Sequence, residues 1–304
     1  MLDIFANNLL PIFLCATTGW ALGRQFNPDL RTVSRLSLYI FSPCLVFSAF
    51  THTALSGGEV GQLALFTVFF NFIILALTIV AGITLRLDRR GLASLIIAAV
   101  FVNGGNYGLA VNQFAFGDAA LQRAVVYYVF STLLVFTLGV SIASLGKKTL
   151  WDTVKHTFTL PSTYAMLGAG LVGVTGWTVP VPIDRAITLL GQAAIPVMLV
   201  VLGLQLAETR RAGRAQTRRA LVAVAVLLQL VAAPLVAVGL SAGLGLTGVA
   251  RQAMVLEAAM PTAVITTLLA VEYDLDAALV TSTVLITTVL SPLTLTPLIA
   301  YLQR

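Results

Sequence analysis

The chain has 304 residues, of which 58% are hydrophobic and only 10% charged, whereas a soluble globular domain carries about 25% charged residues. The mean hydropathy is +0.96, which excludes an ordinary soluble enzyme and describes a polytopic membrane protein. The net charge of +6 is therefore read first for membrane orientation, not for nucleic-acid binding.

A spanning helix needs about 20 apolar residues, and hydropathy with turn signals predicts ten spans: 5–23, 32–54, 60–85, 91–116, 119–146, 160–177, 185–207, 218–244, 249–272 and 277–301. The opening MLDIFANN carries Asp3 and no Lys or Arg, unlike the basic start of a secretory signal, so the first apolar segment is expected to stay as an anchor. Cys15 and Cys44 fall inside spans, where a thiol behaves as a small hydrophobe. No disulfide, metal site or cofactor is expected.

Basic residues alternate along the chain. Arg24, Arg31 and Arg35 follow span 1; Arg86, Arg89 and Arg90 follow span 3; Lys147, Lys148 and Lys155 follow span 5; and Arg210, Arg211, Arg214, Arg218 and Arg219 follow span 7. Only Arg123, Arg185, Arg251 and Arg304 fall on the opposite side. The positive-inside rule then puts these odd connections in the cytoplasm and both termini outside a cell (inner) membrane. The run ETRRAGRAQTRR (208–219) reads as an anchor on anionic lipid, and KKTLWDTVKHTF (147–158) as an interfacial segment with Trp151 at headgroup depth.

That interfacial stretch, 147–159, separates residues 1–146 from residues 160–304, and the two parts look alike. Span 4 runs into span 5 through FGDAALQRAVV and span 9 into span 10 through YDLDAALVTST. Aligning the shared DAAL puts Asp118 on Asp276 and Asn103 on Pro261. Pro43 lies near the centre of span 2 and Pro196 near the centre of span 7. Five spans per half make the second half enter from the opposite face, an inverted repeat. Matched interruptions in such halves point to a substrate site.

The interruptions are NGGNYG in span 4 and MPT in span 9. Gly104 and Gly108 alone would fit close helix packing. Gly105, Asn103, Asn106 and the match to Pro261 favour a functional break whose freed amides suit an anion. Glu257, four residues before Pro261, is an ionisable group deep in a span, which is expensive and marks function. A proton or Na⁺ there would remove its repulsion of an anionic substrate. Arg251 is six residues away, on another helical face. No Ser-His-Asp set is visible, so catalysis is not expected. A cation/proton antiporter would need paired carboxylates at the break, and a ligand-sensing receptor would need an attached signalling domain; both remain as alternatives to a carrier.

NGGNYGLAVNQFAFGDAAL in span 4, SPCLVFSAF in span 2 and the sequence from Leu256 to Pro297 in spans 9 and 10 resemble the auxin efflux carrier family in its prokaryotic branch, over essentially the whole chain. Where that family often has Pro after Gly-Leu, this chain has Ala110. The family is similar in fold to bile acid:sodium symporters and sodium/proton antiporters. The resemblance implies an all-α fold of two inverted five-helix repeats with broken helices 4 and 9 crossing in a mobile domain of spans 3–5 and 8–10. Spans 1, 2, 6 and 7 would form a scaffold, often dimeric, against which that domain moves as an elevator. It implies small organic anions as substrates, including auxins in plants and dicarboxylates in bacteria. Carried over by position, the site residues are Asn103, Gly104, Gly105, Asn106, Tyr107, Pro261 and Thr262, with Pro43 and Pro196 facing them from the scaffold.

Overall fold

A computed structural model describes residues 1–26, 28–52, 55–145, 160–211 and 218–304. The 147–159 linker, Trp151 included, and most of the arginine run after 208 lie outside the described residues. Among the described residues the chain is helical, and its only bridge between extended residues is the isolated pair Val102–Thr262.

Among the described residues seven helices are long and apolar enough to cross a membrane: α1 (Leu2–Gln25), α2 (Leu30–Thr51), α3 (Gly57–Thr84), α6 (Asp118–Ala143), α8 (Val181–Glu208), α9 (Arg219–Gly243) and α12 (Ala277–Leu302). Another, α7 (Pro161–Thr175), is shorter; Pro161 opens it and Gly176 closes it in the left-handed conformation, φ 65°, the arrangement that suits Pro at a helix start and Gly just past its end. The predicted spans 91–116 and 249–272 are each divided. The first becomes α4 (Arg89–Ala99) and α5, a π-helical turn (Gly104–Gly108) running into Leu109–Phe116. The second becomes α10 (Gly248–Ala258) and α11 (Ile265–Glu272).

Short polar residues set the helix starts. Asp29, Ser56, Asp88 and Asp276 each accept a backbone N–H from the first turn of α2, α3, α4 and α12, which satisfies donors that a helix start leaves free. The Thr32 hydroxyl and the Arg31 N–H hold the Asp29 carboxyl below the usual carboxylate range. Three helices widen into a π turn just before a proline: Phe5–Leu9 before Pro11, Ser37–Phe41 before Pro43, and Leu228–Ala232 before Pro234. Proline lacks the N–H of a regular ladder, and a wide turn is one way to take up that irregularity.

In packing, α1 lies along α8, and α2 lies against α7 and α8. Glycines set the first contact. A Cβ at Gly203 would overlap the Ala16 carbonyl, and one at Gly19 would overlap the Val200 carbonyl. Small residues allow this close approach where lipid supplies no hydrophobic drive between helices. Elsewhere α3 packs on α4 and α6, α6 on α5 and α10, and α12 on α4 and α9. Many residues facing away from the bundle are large and apolar, such as Phe69, Val80, Leu171, Leu235 and Leu293, as a lipid-facing surface requires.

Candidate functional site

The two interruptions meet. The Asn103 N–H donates to the Pro261 carbonyl at 2.7 Å, and the Ala263 N–H donates to the Phe101 carbonyl at 2.9 Å. This is a minimal antiparallel ladder around Val102 and Thr262. Side chains satisfy further freed groups. The Thr262 hydroxyl donates to the Ala98 carbonyl (2.9 Å), Gln229 Nε2 donates to the Met260 carbonyl (2.7 Å), and the Thr262 N–H donates to Thr287 Oγ1 (3.2 Å). Each freed backbone group left unpaired in the hydrocarbon region would cost several kcal/mol, and this mutual bonding makes the paired breaks affordable.

The break is displaced from the sequence expectation. Non-helical backbone covers Phe101–Asn103, and the glycine run itself is helical. Steric room, not helix breaking, explains the glycines. A Cβ at Gly104 would sit 2.7 Å from Glu257 Oε2, and one at Gly108 would overlap both oxygens of that carboxyl. At Gly105 it would sit 2.6 Å from the Tyr128 ring. Glu257, wholly buried, thus lies in a groove of two bare backbone positions one helical turn apart. Its Oε1 accepts from Asn112 Nδ2 at 3.1 Å, and Oε2 has no partner. Arg251 turns away and donates to the Tyr301 hydroxyl at 2.7 Å.

A cavity of about 170 Å³ adjoins the break. Val102–Asn106 and Ala263–Ile265 form its inner wall, and Ser37, Tyr128, Thr132, Met198 and Gln205 belong to the helices facing it. Both α5 and α11 begin here. The first intrahelical bond of α5 is Gly108 N–H to Asn103 O, and those of α11 are made by Thr266 and Thr267. The N–H groups of residues 104–107 and of Val264 and Ile265 therefore precede the ladders, and two helix N-termini with partial positive charge face one space. Asn103 lines the same cavity, is 5% exposed, and its Nδ2 has no hydrogen-bond partner. Among the described residues lining the cavity there is no Lys, Arg, His, Asp or Glu.

Asn103, Gly104, Gly105 and Asn106 are brought to the cavity. The other residues singled out in the sequence lie elsewhere. Tyr107 is buried and bonded to Ser291 (3.1 Å), and it meets Phe13 edge-on. Pro261 and Thr262 hold the bridge from behind. Pro43 and Pro196 do not line the cavity, and Pro196 is exposed. Several wall residues were missed: Ser37, Thr132, Met198 and Gln205, of which Gln205 accepts a long contact from Asn106 Nδ2 at 3.5 Å. Asn112 was missed beside Glu257. A lone amide in an apolar helix was the available signal for Asn112 and Gln205.

Residues 145–299 match the family described as membrane transport protein. An uncharacterized transporter of Methanothermobacter thermautotrophicus is 32% identical over 281 residues, which cover 89% of this chain and 88% of that protein. An uncharacterized transporter of Methanocaldococcus jannaschii is 26% identical over 271 residues, 86% of each chain. With paired broken helices beside a largely apolar cleft, and with relatives matching along nearly its full length, the chain belongs to the membrane transport protein family, the auxin efflux carrier family.

Proposed function

We propose that the protein is a secondary active transporter of small organic anions, carboxylates, working by elevator-type alternating access. The observation that carries this reading is the convergence of two helix N-termini and the unpartnered Asn103 amide on one cavity. Helix N-termini bind carboxylates through free N–H groups and partial charge. An apolar cleft with a few aimed donors is the usual build of a small-molecule site. With no cation in the described lining, these dipoles and amides would be the main counter-charge.

In this reading the chain makes ten crossings, α4–α5 and α10–α11 each forming one, in two inverted repeats. Helices α1, α2, α7 and α8 form the scaffold, and the rest form the moving body. The tight α1–α8 seam at Gly19 and Gly203 supports a rigid scaffold, and the cavity between α2 and α8 on one side and the broken helices on the other supports a sliding boundary there. The homodimer expected through the scaffold belongs to the same reading. The cavity extends from the break toward Ser34 near the start of α2 and Gln205 near the end of α8, the end whose connections carry the arginines. Under the charge rule this is the cytoplasmic side, and the conformation faces inward with both termini outside. Glu257 couples transport to H⁺ or Na⁺.

Uptake into proteoliposomes, across a panel of mono- and dicarboxylates with imposed pH and sodium gradients, tests the reading. Saturable flux of at least one carboxylate, lost in Asn103→Asp, is the expected result. Binding without flux for the whole panel would sink the carrier reading in favour of a ligand-sensing receptor; flux of cations alone would do so in favour of an antiporter.

A further inference from the structure

We infer that Asn71, Asn112, Tyr127 and Glu257 form a binding site for one monovalent positive charge, a proton or Na⁺, behind the helical turn whose other face lines the anion cavity.

The four residues come from α3, α5, α6 and α10, and all are wholly buried. Their donors are largely spent. Asn71 Nδ2 donates to the Thr67 carbonyl (2.8 Å), and Asn112 Nδ2 is shared between the Gly108 carbonyl (3.0 Å) and Glu257 Oε1 (3.1 Å). The oxygens are left over. Asn71 Oδ1, Asn112 Oδ1, Glu257 Oε2 and the Tyr127 hydroxyl each lack a well-formed hydrogen bond. Tyr127 lies beside Asn71 and within the electrostatic reach of Glu257, and a Cβ at Gly104 would meet both its ring (3.8 Å) and the Glu257 carboxyl (2.7 Å).

The Tyr127 hydroxyl has the Asn71 side chain in reach, which leaves Asn112 Oδ1 and Glu257 Oε2 without a donor, one of them on a carboxylate. Native proteins rarely leave buried polar atoms unpaired, and a buried ionised carboxylate without a partner is more costly still. A single positive charge resolves both faults. A proton on Glu257 supplies a second donor, and Na⁺ takes the oxygens as ligands.

Among the described residues no other charged group already does this. On α6, Arg123 lies one turn from Tyr127 but pairs with Glu59 of α3 at 2.7 Å. On α10, Arg251 bonds Tyr301 of α12. On α5, the titratable Tyr107 bonds Ser291 of α12. Tyr127 is the titratable side chain that faces Glu257.

The position gives the site its consequence. Gly104 and Gly108 present their bare faces to Glu257, while Gly105 and Asn106 of the same turn belong to the cavity. With the site empty, the carboxylate's negative charge stands behind the N–H groups that would hold an anion. Once the site is filled, that repulsion is cancelled, so the cation binds first. This consequence deepens the coupling proposed above and rests on it, whereas cation binding itself does not.

The test therefore uses the purified, substrate-free protein. Its thermal midpoint is measured while sodium replaces choline at fixed pH, and across a pH series without sodium. The wild type should respond to sodium if the ion is Na⁺, or to falling pH alone if it is the proton. Glu257→Gln should lose that response, and Asn71→Leu should weaken the apparent affinity by about tenfold, roughly the loss of one ligand interaction. Gln205→Ala, which alters only the anion cavity, should keep it. A wild-type midpoint indifferent to both, or an unchanged response in Glu257→Gln and Asn71→Leu, overturns the inference. A cation response without carboxylate flux would retain the site and discard the carrier reading, so the two fail separately.

Discussion

The Asn103 amide donates to the Pro261 carbonyl at 2.7 Å, joining two residues 158 positions apart that the repeated DAAL places in register. A bond between equivalent positions is what a two-fold relation between the halves would give at its axis. It also explains how a chain tolerates non-helical backbone at this depth: each break supplies the other's missing partner.

Thr262 should be a structural residue at this junction. Its hydroxyl donates to the Ala98 carbonyl at 2.9 Å in a fully buried setting. Thr262→Val keeps the shape and leaves that carbonyl unpaired, at a cost of about 1–3 kcal/mol. Thermal or denaturant unfolding in detergent should show the loss. Thr175→Val, at an exposed hydroxyl that donates within its own helix and accepts a long contact from the Trp177 N–H just past it, should show almost none.

The site was legible in the sequence only in part, and the division has a physical cause. Asn, Gly and Pro clustered inside an apolar span contradict the surrounding helix pattern, so residues 103–106 and 261 stand out. Glu257 stands out by its charge. The outer wall is contributed singly by Ser37, Thr132, Met198 and Gln205 from three helices, and no local pattern unites residues that only tertiary packing brings together. Pro43 and Pro196 showed the limit of reading symmetry alone. Their matched positions reflect helix geometry, the first following a π turn and the second a turn at Ala193, and neither reaches the cavity.

Glycine at 108 should be required by Glu257 and not by backbone conformation, because residues 104–108 are helical. Gly108→Ala would drive a methyl into the carboxyl, and overpacking of this kind costs about 1–3 kcal/mol. Most of that cost should vanish in a Glu257→Ser background, since contacting positions couple. A double-mutant cycle on unfolding midpoints measures this. Equal costs in both backgrounds would mean that Gly108 is needed for another reason. Gly239→Ala, with open space around it, serves as the neutral control.

The anion reading predicts a graded effect at Asn103. Removing the amide in Asn103→Ala takes away one donor, and a net contribution of about 1.5–3 kcal/mol for a hydrogen bond to a charged group corresponds to roughly a tenfold to hundredfold rise in KM. Asn103→Asp substitutes a negative charge in a cavity with no described cation and should abolish uptake. An Asp variant as active as the Ala variant would argue against an anionic substrate. Rate measurements at saturating substrate separate weakened binding from a protein that has simply misfolded.

Asn106 and Gln205 offer the sharpest view of movement. They meet tip to tip at 3.5 Å across the boundary between α5, which begins at the break, and α8, which is locked to α1 through Gly19 and Gly203. If α5 travels with the moving body while α8 stays, this pair separates in every transport cycle. Cysteines at both positions, with Cys15 and Cys44 replaced so that no other thiol reacts, should be joined by a short bifunctional thiol reagent. Cross-linking should stop uptake, and reduction should restore it, because the link holds the inward-facing arrangement. Each single-cysteine variant treated alike should keep its activity. Full uptake by a quantitatively cross-linked protein would mean that α5 and α8 keep their spacing throughout the cycle. Access would then have to alternate by local gating around a fixed site, not by an elevator.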